Sequence, residues 1–192
     1  MILGFKRDNV DYVVASAQDR SADIFMRRIL KHPTNYPIKR INKFPGCVVA
    51  GGKGSLELHK LCDLLENLDC DSISYEVLYN EVLPALRKSI KSDCGIYDDS
   101  FLNESFLIYY EGVFYTILSS GLVDIAKVNV LSNSIDKRNI AREAIDKYKG
   151  LEVKEMLSKI DRLCTSLNYI TMAPYFIYRS DSDEIEVMEV YE

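Results

Sequence analysis

Ser105-Phe106-Leu107-Ile108-Tyr109-Tyr110-Glu111-Gly112-Val113-Phe114-Tyr115-Thr116-Ile117-Leu118 joins two runs of β-branched and aromatic residues across Glu111-Gly112. A two-residue connection ending in glycine between such runs predicts a β-hairpin. Its surroundings decide the fold. Before it lie two helical patterns. Leu58, Leu61, Cys62, Leu65 and Leu68 recur at helical spacing behind Ser55, a plausible N-cap, and Leu78, Val82, Leu86 and Ile90 line a second helix from about Ser74. Pro84 falls inside that second helix and predicts a kink. After the hairpin come two more helical patterns. One carries Ala141, Ala144, Ile145 and Tyr148 and ends near Gly150, and the other carries Val153, Met156, Leu157, Ile160, Cys164 and Leu167.

Strands flank this centre. Ile2 to Lys6 and Tyr12 to Ala17 read as an opening hairpin with a somewhat long loop; Ile38 to Phe44 and Cys47 to Ala50 read as a second pair. Ala126 to Leu131 is a further short strand, and Tyr175 to Tyr178 and Ile185 to Val190 close the chain across Asp181-Ser182-Asp183. A helix at Asp23 to Leu30 must stop before Pro33 and Pro37. Strands in blocks, not alternating singly with helices, argue for α+β. Helix pairs on either side of a hairpin predict two antiparallel sheets face to face, each covered by one pair: a four-layer αββα sandwich.

Composition agrees with one domain over 1–192. The chain has 192 residues, of which 47% are hydrophobic and 28% charged, a globular balance. No apolar run approaches the roughly 18 residues of a membrane span, and the charged N-terminus lacks a signal-peptide core. A cytoplasmic protein without membrane contact is expected. The net charge of −5 and scattered Arg27, Arg28, Lys31, Lys39, Arg40 and Lys43 argue against nucleic acid. Five cysteines, none in a C-x-x-C pair, and two histidines without ligand spacing argue against a disulfide framework, a zinc site or any cofactor. Cys62 and Cys164 read as small hydrophobes.

Several phrases resemble the proteasome β-subunit family of N-terminal nucleophile hydrolases and its bacterial ATP-dependent protease relatives. Tyr12-Val13-Val14-Ala15-Ser16-Ala17-Gln18-Asp19-Arg20 resembles the second strand of that family, which ends in Ala-Asp-Ser-Arg. Arg40-Ile41-Asn42-Lys43-Phe44 resembles its Val-Asn-Lys-Ile segment, and Val48-Val49-Ala50-Gly51-Gly52-Lys53-Gly54 its Ala-Gly-Gly-x-Ala. Leu131-Ser132-Asn133-Ser134 stands where the family has Ile-Gly-Ser-Gly, and Asn168 to Pro174 where it has Asp-x-x-Ser-Gly-Gly. The resemblance spans almost the whole chain.

The resemblance implies amide hydrolysis by the hydroxyl of the first mature residue, with its own α-amine as base. It makes Lys43 the catalytic lysine, Gly52 the oxyanion glycine, Asp19 or Gln18 the strand-end aspartate and Ser132 or Ser134 the accompanying serine. Asn168 and Thr171 replace the late aspartate and serine. Met1-Ile2-Leu3 supplies no Thr, Ser or Cys. The expectation is therefore a proteasome-like subunit without peptidase activity that associates with itself, in a ring by family analogy, or with a protein or peptide partner. The alternatives are an amidohydrolase whose nucleophile is elsewhere, and a non-proteolytic enzyme using the old cleft for a small molecule. Lys43 can equally be a strand lysine paired with Asp19.

Three sharper motifs have plainer readings. Cleavage between Gly46 and Cys47 would expose a thiol but delete the best-matching strands, so Cys47 reads as a buried strand residue. Gly51-Gly52-Lys53-Gly54-Ser55 lacks the Lys-Ser/Thr pair of a phosphate loop and reads as a tight turn. Tyr109, Tyr110 and Tyr115 suit either an interface or sheet packing.

Overall fold

The computed structural model describes residues 1–16, 36–51, 56–94, 102, 104–125, 129–131, 135–166 and 174–189. Strands β1 (Ile2–Arg7), β2 (Val10–Ser16), β8 (Asn129–Leu131), β9 (Tyr175–Arg179) and β10 (Glu184–Met188) form one antiparallel sheet in the order β10-β9-β2-β1-β8. Strands β3 (Ile38–Ile41), β4 (Cys47–Ala50), β5 (Phe106–Tyr110), β6 (Val113–Ile117) and β7 (Val123–Ile125) form the other, in that order. The helices are α1 (Leu56–Glu66), α2 (Tyr75–Val77), α3 (Leu83–Cys94), α4 (Ile135–Lys147) and α5 (Val153–Ser166), with a π turn at Leu78–Val82 joining α2 to α3.

Three apolar layers separate the four structural ones. Phe106, Ile108 and Tyr110 of β5 turn toward Leu58, Leu61, Leu65, Leu86 and Ile90 of the first helices. Leu107 and Tyr109, the alternate residues, turn inward to Ile2, Val13, Ala15, Phe176 and Tyr178 of the other sheet. Leu3, Phe5, Val14, Tyr175 and Ile177 face Met156, Leu157, Ile160 and Cys164 of α5. A strand buried on both faces needs no polar alternation, which is why β5 reads as an unbroken apolar run. Each such side chain, fully buried, stabilises the fold by roughly 1.5–3 kcal/mol. Tyr109, Tyr110 and Tyr115 are therefore sheet-packing residues, all buried.

Several elements differ from the sequence reading. The β1–β2 connection is the two-residue turn Asp8-Asn9, both with positive φ (50° and 63°). That is the primed geometry which Asn and Asp tolerate and which matches strand twist. β3 ends at Ile41, and Asn42 and Lys43 lie in the following turn. Glu66 of α1 holds that turn, accepting from the Asn42 N–H at 2.6 Å and the Lys43 N–H at 3.0 Å. β7 was not anticipated, because Leu122-Val123-Asp124-Ile125 is too short to show alternation. Pro84 has no N–H to donate and its ring would press on the carbonyl four residues back. The π turn falls directly before it, where the Leu83 N–H reaches Leu78 O, five residues back, so the helical path re-registers ahead of the proline. The helix expected at Asp23 to Leu30, the Ser55 cap and the first residues of the Ala126 strand lie outside the described residues.

Candidate functional site

The pairing of β1 with β2 sets Ile2 opposite Ala15, and this brings Met1 against Ser16. The Met1 α-nitrogen donates to Ser16 Oγ at 2.8 Å, the Ser16 N–H donates to Met1 O at 2.9 Å, and the Ser16 hydroxyl returns a bond to Met1 O at 3.3 Å. Met1 and Ser16 are both buried, 7% and 2% exposed. The Met1 side chain packs in the layer under α4 and α5, and Ile2 packs between the sheets.

Other strands end around this point. Leu131 of β8 pairs with Ile2, and Tyr175 of β9 pairs with Ser16. The Tyr36 ring lies 4.6 Å from that of Phe176, the partner of Ala15, and the Gly51 N–H reaches Pro37 O at 2.9 Å. Ser16, Tyr36, Gly51, Leu131 and Tyr175 thus gather at the Met1 end of the sandwich. Asp19, Gly52, Ser134, Asn168 and Thr171, along with Gln18, Arg20 and Ser132, lie outside the described residues.

Lys43 lies at the other end. Tyr178, three residues along β9 from Tyr175, donates to Gly46 O at 3.3 Å, which fixes the β3–β4 turn away from Met1. Lys43 is exposed; its ammonium donates to Leu68 O and lies 5.8 Å from the centre of the Phe44 ring. The strand placement expected for Lys43 is corrected: β3 ends at Ile41, and Lys43 lies in the turn that Glu66 holds. Within the described residues, then, Lys43 and the start of β1 are not brought together.

Ser16 is the residue that sequence reasoning missed. Its signal was available in the hairpin: once the turn is fixed at Asp8-Asn9, residues whose numbers sum to 17 face each other, and Ser16 falls opposite Met1. Beside it, the Tyr175 hydroxyl donates to Asp161 Oδ1 at 3.2 Å. Burial and that neighbouring carboxylate hold the Tyr175 phenol well above its usual range, so it is a structural donor and not an acid near neutrality.

The Gly46–Cys47 motif is turned away from chemistry. Cys47 is 1% exposed. Burial first, then Cys62 and Glu66, push its thiol up to about 12, the opposite of a reactive thiolate. A cut there would also remove β1 and β2 from the centre of their sheet. At Gly51 a Cβ would meet Leu58 at 3.2 Å, so the chain passes tightly over α1; Gly52 to Ser55 are outside the described residues. Among the described residues no three His, Cys, Asp or Glu side chains form a group able to hold a metal ion, and no helix is long and apolar enough to cross a membrane.

Two facing antiparallel sheets covered by helix pairs define the proteasome β-subunit-like fold of the N-terminal nucleophile hydrolases, and solved structures agree. Thiobacillus denitrificans BPH superposes with a TM-score of 0.67 at 12% identity, over 93% of this chain and 96% of its own. The same protein in complex with epoxomicin gives 0.64 at 12% identity, over 100% and 99%. Eukaryotic HslV from Trypanosoma brucei gives 0.57 at 15% identity, over 98% and 99%. No family profile and no curated protein sequence matches the chain.

Proposed function

We propose that this chain, one domain over 1–192, is a proteasome-like subunit without peptidase activity, acting in the cytoplasm as a structural or binding component of an oligomer. The observation that carries this reading is the pair of side chains opening β1. Met1 and Ile2 are apolar and packed into two different core layers, so neither offers a nucleophile where the family resemblance calls for a hydroxyl. The separation of Lys43 from that point supports the same reading. The fold that the chain shares with HslV and BPH supports self-association, in a ring by the same resemblance.

A second reading has one specific support. The Ser16 hydroxyl and the Met1 α-nitrogen are 2.8 Å apart, so a hydroxyl and an amine are already in contact, though on different residues. An amidohydrolase would use Ser16 as nucleophile and the amine, once neutral, as base.

One experiment separates the two. The purified protein, Ser16→Ala and Lys43→Ala are incubated with a panel of fluorogenic peptides, and the native mass of each is measured. The proposal expects no turnover by any of the three and a mass above the 22.0 kDa of one chain. Turnover abolished by Ser16→Ala overturns the inactive reading in favour of the second. Turnover abolished by Lys43→Ala alone also overturns it. A strictly monomeric mass removes the oligomer from the proposal.

A further inference from the structure

We propose that the outer edge of β7, with the tyrosine pair beside it, is a docking site for an extended basic peptide segment of another protein. β7 ends its sheet, and among the described residues no strand pairs with its outer edge. An open edge offers backbone donors and acceptors to an added strand. Protein surfaces usually blunt such edges with short strands, charged side chains or proline; β7 is short and carries one charge, Asp124, yet leaves Ile125 49% exposed.

The apolar surface continues onto the neighbouring helix. α2 packs against β7. Tyr75 and Tyr79 are 36% and 48% exposed, with rings stacked at 5.9 Å and 5°. Ile125 sits on the same face of β7 as Val123, the face turned toward the helices. It pairs in register with Tyr115, whose hydroxyl donates to Ile73 O just ahead of the tyrosine pair. Two stacked rings are already ordered, so a partner gains aromatic contact area at little entropic cost.

Charge selects the occupant. The exposed carboxylates of Glu76 and Asp124 flank the rings and the edge; Glu76 is near enough to Tyr115 to help burial raise that phenol's pKa. Asp124 Oδ1 accepts the Ile125 N–H at 2.8 Å, standing where the carbonyl of an added strand would bond. When that carbonyl arrives, the displaced carboxylate is left to pair with a cation. Arginine or lysine on the incoming strand meets it, and a second cation lies over a tyrosine face. An acidic segment would meet like charges, and a wholly apolar one would leave the carboxylates desolvated without a partner.

The test uses the full chain and three synthetic octapeptides: alternating Arg-Val, alternating Glu-Val, and the Arg-Val peptide N-methylated at every second amide. Amide spectra are recorded during titration of the wild type, Tyr79→Ala and Asp124→Lys. Both altered side chains are exposed, so the variants fold. The expected result is saturable shifts at Val123, Ile125, Tyr75 and Tyr79 with the Arg-Val peptide only. Each substitution should weaken binding about tenfold or more, and the N-methylated peptide should lose binding. Equal shifts with the acidic peptide, shifts centred elsewhere, or full binding by the N-methylated peptide overturn the proposal. So does protection of the β7 amides that rises with protein concentration in the absence of peptide, which would assign the edge to a second copy of the chain.

Discussion

Gly4 lies in β1, paired with Val13 and Asn129, and its missing side chain sets how closely the two sheets approach. A Cβ built there would lie 2.8 Å from Leu107 Cδ2 and 3.0 Å from Phe114 Cδ1. Unbonded carbons rest at roughly 3.5–4.0 Å, so the opposing side chains must yield by about 0.7 Å. They have nowhere to go: Leu107 is 0% and Phe114 3% exposed, both walled in by the second sheet. Overpacking of this kind costs about 1–3 kcal/mol. Replacing glycine also restricts the unfolded chain, which returns about 0.4–1 kcal/mol. Gly4→Ala should therefore destabilise the protein by about 0.5–2 kcal/mol. Leu107→Ala alone should cost about 2–5 kcal/mol through the cavity it leaves. The methyl added by Gly4→Ala would project into that cavity, so the double variant should be more stable than the sum of the two effects by about 1 kcal/mol. Urea unfolding at constant m measures all four corners. A neutral or stabilising Gly4→Ala, or strict additivity in the cycle, would refute the close approach at Gly4.

Further outcomes follow from the same physical arguments. Burial pushes the Cys47 and Cys62 thiols from 9.0 up to about 12. Below pH 9 both thiols are neutral in either state and stability is unaffected by them. Above it the unfolded chain ionises first, so stability should fall as pH rises from about 9 toward 12, and less steeply in Cys47→Ala; a flat profile in denaturant melts would contradict the burial. Gly121 has φ +79° and its missing Cβ position is filled by the Arg87 guanidinium, so Gly121→Ala should lower stability by at least about 1 kcal/mol, with part of the loss recovered in Arg87→Ala. The Tyr109 hydroxyl donates to Asp11 Oδ2 at 3.0 Å across the two sheets, while among the described residues Asp11 Oδ1 accepts no hydrogen bond and has Lys6 at 3.8 Å. Tyr109→Phe should therefore cost about 1–3 kcal/mol, and Tyr109→Phe with Asp11→Asn less than Tyr109→Phe alone; thermal melts separate the two.

The architecture was legible because its signals are periodic. Val153, Met156, Leu157, Ile160 and Cys164 repeat at helical spacing and all five are buried in α5; Phe106 to Tyr110 are β formers throughout and form β5. The candidate site was less legible because its parts come from register, which no single stretch carries. Lys43 matches a family phrase in sequence, yet Glu66 folds the chain back at Asn42 and leaves Lys43 outside the strand. Ser16 looks like one more strand residue until the Asp8-Asn9 turn is known to hold only two residues. Short β7 carries too few positions for alternation to register at all.

The π turn between α2 and α3 sets a rotational phase. Leu78, Val82, Leu86 and Ile90 are spaced by four, and all are buried. In an α-helix four residues advance about 400°, so such a stripe drifts about 40° at each step and would leave its core face after three. The wider turn at Leu78–Val82 takes up more residues per revolution and cancels part of that drift. The same turn fixes the azimuth at which Tyr75 and Tyr79 emerge. Loss of Asn80 or Glu81 would leave the apolar content unchanged, yet the turn would close with the residues per revolution of an α-helix and the azimuth of the tyrosines relative to α3 would change. The core and the aromatic surface are thus kept in step by a single wide turn, and a change at one cannot be made without dialling the other.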